Sequence, residues 1–142
     1  YWTPIMANNV DPQREQFEQF KALPRDAPVS MLNLIRLHAN AEYADGRAAT
    51  GLQAYASYGK ESGPVFRKVG GEIIWRGNPQ VTLIGPLDEA WDIAFIARYP
   101  TAGAFLAMVT DEDYRKAVIH RQAAVADSRL VRTADMSSGE GF

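Results

Sequence analysis

Arg121 stands where an arginine needs a reason. A helix expected over residues 111–127 carries Tyr114, Val118 and Val125 in one apolar arc, and at about 100° per residue Arg121 falls inside it. A guanidinium there must pair with an acid, reach a cavity or snorkel to water. Two roles fit: a structural ion pair, or a group that binds an anion. His120 projects about 100° away, near the edge of the arc. Histidine can serve as acid or base near neutral pH, and a partly exposed surface histidine is the competing account. Asn33 interrupts an otherwise apolar strand face, where a buried amide needs partners; it is either structural or a polar spot in a cavity. Together these residues define a candidate pocket between a sheet and two helices, lined by Asn33, Tyr58, Arg76, His120 and Arg121. In it His120 would be the catalytic group that moves a proton. Asn33, Tyr58, Arg76 and Arg121 would bind a small aromatic or acidic metabolite, with no cofactor and no metal.

Other chemistry is poorly supported. The chain has no cysteine, which removes disulfides, thiolate catalysis and cysteine metal sites. His38 and His120 are far apart and form no helical HxxxH pair. Phosphate loops, dinucleotide fingerprints and nucleophile elbows are absent. Net charge is -2 and the basic residues are scattered, so a nucleic-acid partner is not expected. No apolar run approaches the roughly 20 residues of a membrane span. The opening Tyr1-Trp2-Thr3-Pro4 does not read as a secretory signal, and a cytoplasmic location is expected. The acids Asp111, Glu112 and Asp113 are accounted for by a helix start, where negative charge meets the positive end of the dipole. Asp92 and Arg98 share a strand face and are expected to form a salt bridge.

The elements that must position these residues follow from pattern. Asp11 as N-cap and Pro12 at the first helical position predict a helix over 11–23, with Phe17, Phe20 and Leu23 as a narrow stripe and Pro24 as the stop. Residues 29–37 alternate as a strand with both faces largely apolar. A loop spans 38–50, long enough to be a binding element. A helix over 51–69 is expected to kink or restart at Gly63-Pro64, with Leu52, Tyr55, Gly59, Ser62, Phe66 and Val69 on one side. Gly59 and Ser62 are expected to let that helix approach a sheet closely. Strands are predicted over 72–76, 81–84 and 91–99, then a helix over 101–108. Thr110 is read as the cap of the next helix, and a last strand covers 128–133.

This order is βαββαβ, an α+β domain of ferredoxin-like type. Residues 1–28 are expected to form an N-terminal helical extension, 29–134 the ferredoxin-like domain and 135–142 a flexible tail. Two helices cover one face of such a sheet, yet apolar side chains point to both. A second copy packed sheet to sheet is the simplest cover, so a homodimer through the sheet face is expected.

The stretches MLNLIRL (31–37), YGKESGPVFRKVGGEIIWRG (58–77), WDIAFIARYPTAGAFLAMVTDEDYRKA (91–117) and HRQAAVADSRLVR (120–132) resemble a bacterial family of unknown function in the dimeric α/β-barrel superfamily. The resemblance implies a ferredoxin-like fold and a dimer, and no established activity. The wider superfamily is similar in fold to cofactor-free monooxygenases, muconolactone isomerases and haem-using dismutases, and chemistry does not transfer on fold alone. Three functions are carried forward: a cofactor-independent enzyme or binder, a non-catalytic homo-oligomeric interaction protein, and a haem-binding barrel with His120 as axial ligand.

Overall fold

The computed structural model describes residues 9–139 and 141–142; the opening four residues considered above lie outside them. At its centre runs β1 (Val29–Leu37), whose alternate side chains Val29, Met31, Asn33 and Ile35 are all buried. It pairs antiparallel with β3 (Ile93–Tyr99) on one side and β4 (Val125–Thr133) on the other. The edge strand β2 (Glu72–Gly77) pairs with β3, giving the order β2-β3-β1-β4. Among the described residues four helices accompany the sheet: α1 (Arg14–Ala22), α2 (Gly51–Lys68), α3 (Ala102–Thr110) and α4 (Glu112–Ala124). Apart from α1, the order is βαββαβ with the second helical position split between α3 and α4, and the fold is α+β and ferredoxin-like.

Register assigns the faces. Met31 stands opposite Ala97 and Arg132, and Asn33 opposite Phe95 and Leu130. These side chains share the face that α2, α3 and α4 cover. The core there joins Val29, Met31, Ala97 and Tyr99 of the sheet to Val65, Phe105, Met108 and Tyr114 of the helices. The opposite face carries a row across all four strands, Trp75, Ile96, Leu32 and Val131. No helix among the described residues packs on that row.

Several local expectations are corrected. The first helix begins at Arg14 with Gln13 as N-cap, so Asp11 and Pro12 precede it. α2 runs without interruption through Pro64. Pro64 and Lys60 are both exposed, so water can take the carbonyl that the proline leaves free, and the buried face continues through Ser62 and Val65. Leu52 is 66% exposed, and Ala54 takes the inward position instead. Residues 81–84 form no strand among the described residues: no neighbouring strand offers them a ladder, and Leu83 and Ile84 are 88% and 92% exposed. Thr110 donates back to the Leu106 carbonyl, whereas Asp111 caps α4 by accepting from Asp113 N at 2.8 Å. α4 stops at Ala124 and β4 begins at the next residue, because Val125 already pairs with Leu37. Asp92 and Arg98 do not meet; Asp92 accepts from Leu37 N at 2.7 Å, and Arg98 pairs with Asp135 at 2.7 Å.

Candidate functional site

Most of α2 packs on α4 and stands away from the sheet. A Cβ placed on Gly59 would meet nothing within 4 Å, so the close approach expected at this glycine does not occur. The gap is a cavity of about 1550 Å³ between the sheet and the helices, with α1 along its margin. Rings dominate its wall: Phe66 and Tyr99 meet edge to face at 5.5 Å, Tyr99 and Phe105 at 5.3 Å, and Phe20 of α1 lies 5.0 Å from Phe105. Such ring geometries favour an apolar, aromatic occupant.

Asn33, Tyr58, Arg76 and Arg121 all line this cavity. Asn33 is buried and donates from Nδ2 to the Met31 carbonyl at 3.0 Å. Tyr58 shares a hydrogen bond of 2.8 Å with Tyr114, hydroxyl to hydroxyl. Burial, reinforced by Tyr58, pushes the Tyr114 hydroxyl well above its usual range and keeps it neutral. Tyr55 is held above its usual range for the same reason, with Arg121 and Arg76 near enough to oppose the shift.

The structural ion pair considered for Arg121 is not formed among the described residues. Its Nη1 donates to the Val10 carbonyl at 2.5 Å and its Nη2 to Ser128 Oγ at 3.3 Å. Ser128 Oγ in turn donates to the Asn9 carbonyl at 2.7 Å. The ion pairs made by arginine belong to Arg36, Arg47, Arg98 and Arg129. Arg76 and Arg121 therefore present positive charge to the cavity with no carboxylate partner among the described residues.

His120 is placed elsewhere, which corrects the single pocket expected for five residues. It is 8% exposed and does not line the cavity. Tyr43 OH lies 2.5 Å from its Nδ1, and Glu61 Oε2 lies 2.8 Å from its Nε2. Both nitrogens are engaged: Nε2 donates to the Glu61 carboxylate, and Nδ1 shares a hydrogen bond with the Tyr43 hydroxyl. The ring ties the 38–50 loop to α2, and backbone bonds from His38 N and Glu42 N to the Ala124 and Ala123 carbonyls hold the same loop to the end of α4. His38 lies 3.7 Å from Glu42 and is also absent from the cavity wall. The residues do not fit an axial haem site, because neither histidine faces the cavity and both His120 nitrogens are taken.

As site residues Ser128, Tyr43 and Glu61 escaped the sequence reading, and Tyr114 was read only as part of the apolar arc. Ser128 had a visible signal: it is in register with Ile35 and alternates with Leu130 and Arg132 on the cavity face. Tyr43 and Glu61 had none, since only the packing of the loop and α2 against α4 brings them to His120.

No helix among the described residues is long and apolar enough to cross a membrane. No curated protein matches the chain. Two solved structures resemble it throughout. The methylated RPA0582 protein is 51% identical with a TM-score of 0.91, over 95% of this chain and 100% of its own. RPA0582 of Rhodopseudomonas palustris, described as a protein of unknown function, is 50% identical with a TM-score of 0.89, over 93% of this chain and 100% of its own. SnoaB of Streptomyces nogalater, a cofactor-independent oxygenase, shares 12% identity with a TM-score of 0.52, over 79% of this chain and 96% of its own, and shows likeness of fold alone. Residues 39–134 match the family described as "Domain of unknown function (DUF1330)", and the chain belongs to that family.

Proposed function

We propose that the chain binds a small, largely apolar metabolite of aromatic or acidic character in the cavity between its sheet and helices, without a cofactor. The observation that carries this reading is that Arg76 and Arg121, two of the arginines lining an aromatic wall, have no carboxylate partner among the described residues. Fixed positive charge beside a low-dielectric wall attracts an anionic or strongly polar group, and the rings receive the rest of the molecule. Asn33 and the Tyr58–Tyr114 pair supply orienting hydrogen bonds. The acid–base role expected of His120 is not part of this reading, because its ring lies outside the cavity. Oxygenase chemistry is not carried over from SnoaB, whose identity of 12% speaks only to fold.

The test uses the open space at Gly59. In Gly59→Phe the new ring should fill the open space at the cavity wall, while leaving glycine favours the helix by only about 0.3–0.5 kcal/mol. A neutral fluorescent probe, N-phenyl-1-naphthylamine, should bind the wild type at one site per chain. It should bind the variant at least about tenfold more weakly with an undiminished melting temperature. Absence of binding to the wild type, or equal binding to both, rejects the reading.

We also infer a homodimer in which the apolar row Trp75, Ile96, Leu32 and Val131 of one copy meets that of the other. Trp75 and Val131 are about half exposed, and both stand in register with a neighbour on the same face. Sheet-to-sheet packing at about 10 Å is the ordinary way to cover such a surface. The exposed side chains Val81, Leu83, Ile84 and Leu87 fit the same role, as an arm resting on the second copy.

A further inference from the structure

We propose that Arg121 and Ser128 are the carboxylate subsite of this cavity, occupied here by two carbonyls of the chain's own 9–13 strap, which a ligand carboxylate replaces. The inference rests on the binding function proposed above and adds the chemistry of the ligand's head group and what its arrival moves.

Three donors converge at one end of the cavity. Arg121 offers two guanidinium nitrogens, one on the Val10 carbonyl and one on Ser128 Oγ. Ser128 Oγ offers its proton to the Asn9 carbonyl. Asn9, Val10, Arg121 and Ser128 all line the cavity, so the hydrogen bonds face the space a ligand would fill. Two neutral carbonyl oxygens held by a guanidinium and a hydroxyl have the donor pattern of a bound carboxylate. They lack its charge. A carboxylate adds its own charge and a second parallel bond to what a single neutral carbonyl gives the guanidinium, so a carboxylate that reaches the site outcompetes the strap.

The strap is built to leave. α1, which follows it, buries none of its residues. The strap's own attachments besides the two carbonyls are polar and exposed, Asn9 N to Asp127 Oδ1 at 3.0 Å and Gln122 Nε2 to Asp11 Oδ1 at 3.2 Å, whereas α1 stays anchored by Phe20 on Phe105 and by Arg132 on the Phe20 and Pro24 carbonyls. Displacement also removes the acid Asp11 from the neighbourhood of Arg121. A neutral ligand gains nothing from the exchange and fills the apolar part of the cavity with the strap in place.

Two probes of nearly equal shape separate the outcomes: 2-naphthylacetate and its amide, 2-naphthylacetamide, titrated against the full chain. The acid should bind about tenfold or more tightly than the amide. Arg121→Gln should bring the ratio close to one by weakening the acid far more than the amide, and Ser128→Ala should reduce the ratio in part. Hydrogen exchange of the Asn9 amide, which donates to Asp127 Oδ1 at 3.0 Å, should accelerate with the acid and not with the amide. This readout uses the unaltered chain and stands even if Arg121→Gln does not fold. Equal binding of acid and amide, an acid preference retained in Arg121→Gln, or an Asn9 amide that becomes more protected with the acid would each overturn the proposal. If the amide binds and the acid gains nothing, only the carboxylate subsite falls. If neither probe binds, the cavity's binding role falls with it.

Discussion

Tyr43→Phe isolates the role of the buried histidine. The substitution removes one hydroxyl and keeps the ring that lies edge-on to His120 at 5.6 Å and under the Arg47 guanidinium at 4.5 Å. His120 Nδ1 then loses the partner it has at 2.5 Å, inside a side chain that is 8% exposed. Leaving a buried polar nitrogen unsatisfied costs about 1–3 kcal/mol. For 142 residues at roughly 2.1 cal/mol/K each, the unfolding entropy is about 0.3 kcal/mol/K, so the melting temperature should fall by roughly 3–10 °C. The assay is thermal unfolding of wild type, Tyr43→Phe, His120→Phe and the double variant. A coupling energy of about 1 kcal/mol or more should appear, because the two groups act through one bond. Affinity for the naphthyl probes should stay unchanged, since neither residue touches the cavity. A melting temperature within about 1 °C of wild type, or strictly additive losses, refutes the assignment of His120 as the pin of the 38–50 loop.

Two further outcomes follow from the same structure. Trp75→Arg should convert a species of twice the chain mass into one of single mass in light scattering, with little change in the fold of each chain because the side chain is half exposed; a variant that keeps the double mass removes the sheet-face interface. Stability should fall as pH rises past about 10, because Tyr99 and Tyr114 are pushed up, first by burial and then by Tyr58. Below that pH both states keep these protons, whereas above it the unfolded chain ionises first, at up to about 1.4 kcal/mol per pH unit for each tyrosine. Urea midpoints measured from pH 8 to 11 should decline above 10, less steeply in Tyr114→Phe, and a flat profile contradicts the burial of these hydroxyls.

What could be read from the sequence divides by range. β1 was legible residue by residue, since a strand buried at alternate positions leaves its period in the chain. Arg121 was legible as an anomaly, because its neighbours on the helix face are apolar. The 81–84 segment carries the same alternating, β-branched signal as a true strand, but a ladder needs a neighbour, and the single chain provides none among the described residues. Gly63-Pro64 signalled a break that did not occur, because the cost of one missing hydrogen bond is local while the buried face of α2 runs along the whole helix. His120 was misplaced for the opposite reason. Its angle on α4 was correct, but a helical wheel does not contain α2 or the loop that buries it. Asn33, Tyr58, Arg76 and Arg121 converge because strand register and the α2–α4 packing act together, and only the first of these can be estimated from pattern.

The direct passage from Ala124 to Val125 leaves no slack between α4 and β4. Rotation of the helix is handed on to the strand across a single irregularity, where the pairing passes from Leu37–Val125 to Arg36–Asp127 and skips Ala126. Arg121 and Ser128 sit on either side of this joint, so their spacing is a property of a rigid elbow and not of a loop. One residue inserted there would invert the strand's alternation, turning Ser128, Leu130 and Arg132 outward and Asp127, Arg129 and Val131 inward.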